Sequence, residues 1–117
     1  MDQKIKPGDK ECALLLRPVK DALEVLSGKW KLQIIIALTF GKKRFMEISR
    51  EIGGISDKML SKELKEMERH QLLLRTVYDA FPPVVEYELT AHGKSLHKLI
   101  DNLRDWGQLH RKKILGK

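Results

Sequence analysis

Residues 45–70 read FMEISREIGGISDKMLSKELKEMERH and contain two helical patterns separated by two glycines. Apolar residues recur at helical spacing from Phe45 to Ile52, which predicts a helix of about two turns that ends at Gly53-Gly54. Glycine readily adopts the positive φ that a sharp reversal of the chain needs. Ser56 stands where an N-cap is expected, because its side-chain oxygen can accept a hydrogen bond from an unpaired amide of the next helical turn. The pattern therefore predicts two helices joined by a tight turn.

The second predicted helix, residues 56–70, has an apolar stripe and a basic face. The stripe consists of Leu60, Leu64 and Met67, which recur at the spacing of one helix face. Largely on the other side lie Lys58, Ser61, Lys62, Lys65 and Arg69. A helix of this kind packs its stripe on a core and leaves a basic surface in solvent.

A β-hairpin is predicted directly after this helix. Residues 72–78 (LLLRTVY) read as a strand, and residues 84–89 (VVEYEL) alternate between apolar and acidic side chains. Pro82 and Pro83 lie between the two segments, and proline prevents a strand from continuing. Two helices with a tight turn followed by a hairpin form a winged helix-turn-helix. The predicted fold class is therefore mainly α with a small β-hairpin.

The order of these elements predicts binding to duplex DNA. The major groove of B-DNA is about 12 Å wide and admits one α-helix, and the first helix of the motif holds the second so that its N-terminal end reaches the base edges. Ser56 and Ser61 are small enough to permit close approach. Lys58 and Lys62 can bind phosphates or guanine acceptors, and Met59 can contact a thymine methyl group. The other predicted DNA-binding residues are Arg44, Lys65, Arg69 and Arg75.

The segments before residue 45 are predicted to form two further helices. Pro18 marks an early position of a helix that ends at Ser27-Gly28. The next helix begins near Lys29 and carries the apolar run LQIIIAL, which predicts the most buried helix of the fold. Residues 42–44, KKR, are predicted to be a short basic loop.

The last predicted helix carries an apolar seam. Thr90 can cap this helix, on which Leu96, Leu99, Leu103 and Trp106 recur at a spacing close to that of a coiled coil. A domain this small leaves such a seam open, so the pattern predicts a dimer interface. The alternative is packing against the first helix of the same subunit. The predicted boundaries are a flexible arm over 1–11, one domain over 12–113 and a basic tail over 114–117.

Composition excludes several classes of protein. The chain has 117 residues, with 23 Lys and Arg against 16 Asp and Glu, and a formal charge of +7. This length fits one domain, no apolar run approaches the about 18 residues of a membrane span, and one cysteine cannot build a disulfide framework. We therefore expect neither a membrane protein nor a disulfide scaffold, and the cytoplasm is the expected compartment. The excess positive charge predicts an anionic partner.

An ordered series of short motifs runs through the chain. They are Gly28-Lys29-Trp30, Gly41, Arg44-Phe45, Gly54-Ile55-Ser56, Lys58-Met59-Leu60, Leu64-Lys65-Glu66, Glu68, Arg75, Val77-Tyr78, Pro82-Pro83, Val85-Glu86-Tyr87, Leu89-Thr90, Gly93 and Trp106-Gly107. Together they resemble the HxlR-type family of bacterial winged helix-turn-helix transcription regulators, over about residues 12–107. The resemblance implies a homodimeric, cytoplasmic repressor or activator in which helix 56–70 enters the major groove. It also implies that hairpin 74–89 forms the wing and that the terminal helices form the dimer.

Two consequences for DNA binding follow from these predictions. A two-fold dimer predicts a palindromic operator with half-sites about one helical turn apart. The predicted wing tip, residues 79–83, contains no Lys or Arg, so strong electrostatic contact with the minor groove is not expected. Arg75, at the base of the wing, can instead bind a phosphate.

Cys12 is a candidate redox or electrophile sensor. In some members of the resembled family a cysteine at this place switches DNA binding when it is oxidised or attacked. A neighbouring basic group, Lys10 or Arg17, would favour the reactive thiolate. Against this, Ala13 stands where electrophile-sensing members usually have proline, and Leu14-Leu15-Leu16 can bury the thiol as an inert apolar group. Both interpretations stay open at this point.

No metal site, cofactor or catalytic site is predicted. His92 and His97 are five residues apart, whereas two ligands on one helix face are typically four apart, and no carboxylate pattern accompanies them. Gly28-Lys29 lacks the upstream glycine of a phosphate-binding loop, and neither a nucleophile elbow nor an HExxH run occurs. We therefore predict that the chain is not an enzyme. The alternative function is a winged-helix protein-interaction module without specific DNA binding, and the absence of any salt-sensitive DNA binding would favour it.

Overall fold

The computed structural model describes residues 10–117, which form a mainly α fold with a small sheet. The helices are α1 (Lys10–Val25), α2 (Lys31–Ala37), α3 (Phe45–Ile52), α4 (Asp57–Arg69), α5 (Ala91–Lys94) and α6 (His97–Leu115). The strands are β1 (Lys43–Arg44), β2 (Leu73–Tyr78) and β3 (Val84–Leu89). This architecture confirms the predicted fold class. Within residues 10–117, no helix has both the length and the apolar character that crossing a membrane requires.

The helices α3 and α4 form the predicted helix-turn-helix pair. Gly53 and Gly54 between them both have positive φ, at 69° and 73°, so a side chain at either position would strain the turn. The Oγ of Ser56 accepts a hydrogen bond from the Met59 amide at 3.1 Å. The predicted turn and N-cap are therefore both confirmed.

The predicted hairpin is part of a three-stranded antiparallel sheet with the order β1-β3-β2. β2 and β3 pair along their whole lengths, and β1 pairs with the other edge of β3. The prediction of a basic loop over residues 42–44 is therefore wrong for Lys43 and Arg44. These two residues become a strand because the edge of β3 offers unpaired backbone groups that they bind.

The hydrophobic core lies between α2, α3, α4 and the sheet. Its most completely buried large side chains are Ile34, Ile35, Ile48, Leu60, Leu64, Met67 and Leu72. They include the predicted stripe of α4, which is thereby confirmed. α2 is the central helix, as predicted, although its Ile36 is half exposed. The core thus holds α4 by one face and leaves its other face in solvent.

The helix α1 is longer than predicted at its N-terminal end. It begins at Lys10, and Pro18 lies inside it instead of near its start. Residues 10–17, KECALLLR, are mostly good helix formers, which extends the helix to the N-terminal side of the proline. The predicted arm over 1–11 falls outside the described residues except for its last two, Lys10 and Glu11, and these two are helical.

The C-terminal segment forms two helices instead of the single one predicted. Thr90 caps the short α5, since its Oγ1 accepts a hydrogen bond from the Gly93 amide at 3.0 Å, and α6 begins at His97. Gly93 lies so close to the chain before β2 that a Cβ there would stand 2.2 Å from the Leu72 carbonyl oxygen. Only glycine permits this approach, which docks α5 on the sheet. α6 then includes the first two residues of the predicted tail, 114–117.

The helices α1 and α6 project from the core. Neither contains a buried residue. The radius of gyration, 17.6 Å, exceeds the about 13 Å of a compact domain of about 100 residues. The described chain therefore consists of a packed winged unit with two long helices that are largely exposed.

Candidate nucleic-acid interface

The helix α4 presents a basic face on the side opposite the core. We define this basic face as Lys58, Ser61, Lys62, Lys65 and Arg69. The four cationic side chains are exposed and Ser61 is half-buried. These five residues, together with Glu66, line one shallow depression on the surface. The structure therefore brings five of the predicted DNA-binding residues onto one surface.

The other predicted contact residues lie around or beyond the basic face. Ser56 is exposed at the N-cap of α4. Met59 is half-buried and packs against the core, which leaves less of it to contact a thymine methyl group than predicted. Arg75 is exposed on β2, whereas Arg44 is exposed on β1, at the opposite edge of the sheet. Arg44 is thus separated from Arg75 by β3.

A buried ion pair that was not predicted from the sequence fixes α4 on the core. Lys31, in the first turn of α2, is only 3% exposed. Its Nζ donates hydrogen bonds to Glu63 Oε1 at 2.5 Å, to Glu66 Oε2 at 3.1 Å and to the Ser27 carbonyl oxygen at 3.2 Å. Glu63, on the core side of α4, is itself buried. Lys31 therefore links the central helix α2 to two carboxylates that lie three residues apart on α4.

The pKa directions agree with this arrangement. Burial alone would lower the pKa of Lys31, but the hydrogen bonds and negative charges of Glu63 and Glu66 outweigh it and raise the pKa above 10.5. The hydrogen bond from Lys31 lowers the pKa of Glu66, and the positive charges of Lys62 and Arg69 add to that effect. Lys31 and Glu66 are therefore both charged at neutral pH. A Glu66 carboxylate oxygen also lies 3.8 Å from an Arg69 nitrogen, so the chain of ionic contacts that starts at Lys31 reaches the basic face.

Lys42, which was not among the predicted DNA-binding residues, lies beside the wing. Lys42 Nζ donates a hydrogen bond to the Tyr78 hydroxyl at 3.3 Å and lies 3.9 Å from a Glu86 carboxylate oxygen. The Tyr78 hydroxyl, together with the charges of Glu86 and Glu88, raises the pKa of Lys42. The wing tip itself carries the fully exposed Phe81. The positive charge near the wing therefore comes from Lys42 before β1 and from Arg75 on β2, and not from the tip.

The projecting helices carry exposed apolar side chains. In the predicted dimer seam, Leu99, Leu103 and Trp106 are 37, 46 and 62% exposed. Leu96 differs, because it precedes α6 and packs against the core of its own subunit. Its assignment to the dimer interface is therefore not supported by its position. Further exposed apolar residues on these helices are Leu14, Leu15, Leu16, Val19, Leu23, Leu109, Ile114 and Leu115.

The remaining candidate residue, Cys12, lies in the first turns of α1. Its side chain is half-buried and in the free thiol form. Among residues 10–117, no group of three or more His, Cys, Asp or Glu residues is arranged to hold a metal ion.

Comparison with known proteins places this geometry in a family. Residues 25–114 match the HxlR-like helix-turn-helix family. The HTH-type transcriptional regulator YtcD of Bacillus subtilis (strain 168) is 44% identical over 98 residues, which cover 84% of this chain and 78% of the relative. The crystal structure described as ytcD has a TM-score of 0.76 at 46% identity, with 79% of this chain and 94% of that chain covered.

Two solved structures of redox or transcriptional regulators are also similar. The redox regulator HypR in its reduced form has a TM-score of 0.79 at 36% identity, covering 86% of this chain and 99% of that chain. The reduced form of the transcriptional regulator YodB from B. subtilis has a TM-score of 0.72 at 32% identity, covering 85% and 93%. These relatives are regulators and not enzymes. The match over 25–114 and the relatedness to YtcD show that the chain belongs to the HxlR-like family of helix-turn-helix transcriptional regulators.

Proposed function

We propose that this regulator is a cytoplasmic homodimer that binds a palindromic site in duplex DNA, with α4 of each subunit in the major groove. One observation carries the proposal: α4 is held by a buried apolar stripe while its basic face is exposed. A helix fixed in this way can enter a groove that admits one helix, and its four cations can bind the flanking phosphates. The hairpin of β2 and β3 is the wing beside it.

The dimer is supported by the apolar residues of the projecting helices. Leu103 and Trp106 on α6, and Leu14 and Leu23 on α1, are between 46 and 75% exposed on helices that contain no buried residue. Exposed apolar surface of this extent typically marks a protein interface. A second copy of the chain offers a matching apolar surface by symmetry. The half-sites of the operator are then expected about one helical turn apart.

The alternative is a protein-interaction module that uses the same wing and basic helix on a protein partner. Selection of bound sequences from random duplex DNA separates the two functions. We expect an enriched palindrome, whose affinity falls steeply with salt because each phosphate contact contributes about −0.9 to the slope of log affinity against log salt. Recovery of no enriched sequence, together with no salt-dependent binding, would favour the protein partner.

Alanine variants at Ser61 and Lys62 test the placement of α4 in the groove. If Lys62 binds a base, Lys62→Ala should lose about 1–3 kcal/mol of discrimination at one operator position. If it binds a phosphate, all sequences should weaken alike and the salt slope should fall by about 0.9 per subunit. Ser61→Ala should relax specificity without changing the slope, since the hydroxyl carries no charge. Lys112→Ala, which removes an exposed cation near the end of α6, is the control and should bind as wild type. Operator binding unchanged in both α4 variants would exclude this placement.

We also propose that Cys12 makes DNA binding redox-sensitive. HypR is described as a redox regulator, and YodB has also been solved after treatment with diamide. The half-buried position of Cys12 leaves its sulfur partly accessible. On treatment with diamide, the operator affinity of the wild type should change by an order of magnitude or so, about 1.4 kcal/mol, whereas Cys12→Ser should not respond. Equal responses of the two proteins would exclude a sensing role for this cysteine.

A further inference from the structure

A second surface lies between α4 and the hairpin and adjoins the basic face. It is a cleft of about 250 Å³, which we call the wing cleft, lined by Ser61, Lys65, Glu68, Arg75 and Tyr87. Ser61 and Lys65 line both the wing cleft and the basic face. The cleft therefore opens beside the surface that we propose to face DNA.

The wing cleft is built by two separate elements. Ser61, Lys65 and Glu68 follow one another at helical spacing on the side of α4 that faces the hairpin. Arg75 on β2 stands directly opposite Tyr87 on β3, so the two side chains share one face of the sheet. Lys65 and Arg75 thus reach the same cleft from a helix and from a strand.

The polar character of the wing cleft fits an anion with one charge. Two cations and the carboxylate of Glu68 leave one net positive charge, which matches the single charge of a phosphodiester. Tyr87 is 9% exposed, and its hydroxyl makes no hydrogen bond to another group among residues 10–117. Ser61 supplies a second hydroxyl. The cleft therefore offers two charged and two neutral donors to one ligand.

We propose that the wing cleft binds one phosphate of the DNA backbone, held jointly by Lys65 and Arg75 and by the hydroxyl of Tyr87. The proposal rests on the proposed function, because it needs α4 in the groove. A phosphate bound in this way fixes the protein's register on the duplex without reading sequence. The same phosphate would bridge α4 and the base of the wing, where Lys65 and Arg75 lie, and would leave the tip of the wing out of the contact.

The joint contact is tested by the salt dependence of binding to a mixed-sequence duplex. Wild type is compared with Lys65→Ala, Arg75→Ala and the double variant. If the two cations share one phosphate, the slope of log affinity against log salt should become less steep by about 0.9 per subunit in the double variant. If they bind two separate phosphates, it should become less steep by about 1.8 per subunit. The matched control is the pair Lys58→Ala and Arg69→Ala, which are outside the wing cleft and lie eleven residues apart on α4; these two cations are too far apart to share a phosphate, so their loss should give about 1.8 per subunit. A loss of about 1.8 for the Lys65 and Arg75 pair, or no loss, would overturn the proposal.

The hydroxyl of Tyr87 gives an independent test. Tyr87→Phe should weaken binding by about tenfold per subunit, the effect of one hydrogen bond to a charged group. The salt slope should stay the same, because no charge is removed. Tyr78→Phe is the control: its hydroxyl accepts from Lys42 outside the wing cleft, so its affinity should stay that of wild type. Wild-type affinity of a folded Tyr87→Phe protein would exclude the hydroxyl from the site.

The two proposals fail in different ways. If the wild type binds no duplex with salt-dependent affinity, the proposed function itself is wrong. If the wild type binds and the control pair behaves as expected, while Lys65 and Arg75 act independently, only the shared phosphate is wrong. Thermal unfolding of each variant shows whether a loss of binding comes from a loss of folded protein.

Discussion

Replacing Lys31 by methionine is expected to lower the free energy of unfolding by about 3–5 kcal/mol, the typical cost of removing one partner of a buried ion pair. Methionine keeps much of the length and apolar stem of lysine but donates no hydrogen bond. Glu63, which is buried beside the core, would then keep an unpaired negative charge. The loss is measured as the change in urea midpoint at an unchanged slope. Because the free energy of unfolding of a domain is typically about 5–15 kcal/mol, this single change removes a large part of it.

Lys29→Met is the matched control for this prediction. It removes the same charge two residues earlier, where the side chain is exposed and lies over the Trp30 ring at 4.6 Å. Its effect should stay below about 1 kcal/mol, as for other exposed charges. If Lys31→Met is as stable as Lys29→Met, the buried pair does not hold α4 on the core.

The stability difference between wild type and Lys31→Met should also depend on pH. The pKa of Glu66 is lowered below 4.5 in the folded protein, so its contribution is present above about pH 4.5 and is lost as the pH falls through the folded value. The pKa of Lys31 is raised above 10.5, so its contribution is present below 10.5 and is lost as the pH rises through the folded value. The difference in stability between wild type and Lys31→Met should therefore be widest between these limits and narrow at both ends.

The helix-turn-helix was predictable because its determinants are local. The diglycine turn, the Ser56 cap and the stripe of α4 each depend on residues within a few positions of one another. Helical periodicity and capping chemistry act over that distance. The alternation in residues 84–89 likewise predicted β3 and its buried face, which includes Tyr87 and Leu89.

Features set by contacts between distant parts of the chain were not predictable. Lys31 and Glu63 are 32 residues apart, and from sequence alone a lysine near the start of a helix is predicted to be exposed to solvent. The two residues of β1 become a strand only because β3 offers them an edge. Gly93 lets α5 lie against the Leu72 carbonyl, a contact that no local pattern contains. The wing cleft likewise requires the register of β2 on β3 and the position of α4 beside them.

Replacing Leu103 by lysine is expected to dissociate the proposed dimer and to weaken operator binding by more than about a hundredfold. Burying one leucine contributes about 1.5–3 kcal/mol, the two-fold axis doubles this contribution, and a lysine at its place adds a desolvated charge. Leu103 is 46% exposed on a helix without buried residues, so the subunit itself should fold normally. The mass in solution by light scattering and the affinity for a palindromic operator are the two measurements. A single subunit would then contact one half-site, and the loss of the second accounts for the fall in affinity.

The control for this prediction lies on the same helix and introduces the same residue. Gln108→Lys lies on the opposite side of α6 from Leu103 and Trp106, because it follows them by five and two residues, which places it about 140° and about 160° away around the helix axis. It adds the same positive charge, so it should leave the mass of the dimer and the operator affinity unchanged. If Leu103→Lys remains a dimer of wild-type affinity, the seam of α6 packs on its own subunit or on nothing, and α1 must supply the interface instead. If both variants dissociate, added charge and not the lost apolar contact separates the subunits. Dissociation of Leu103→Lys alone ties the two-fold symmetry of the operator to the apolar seam of α6.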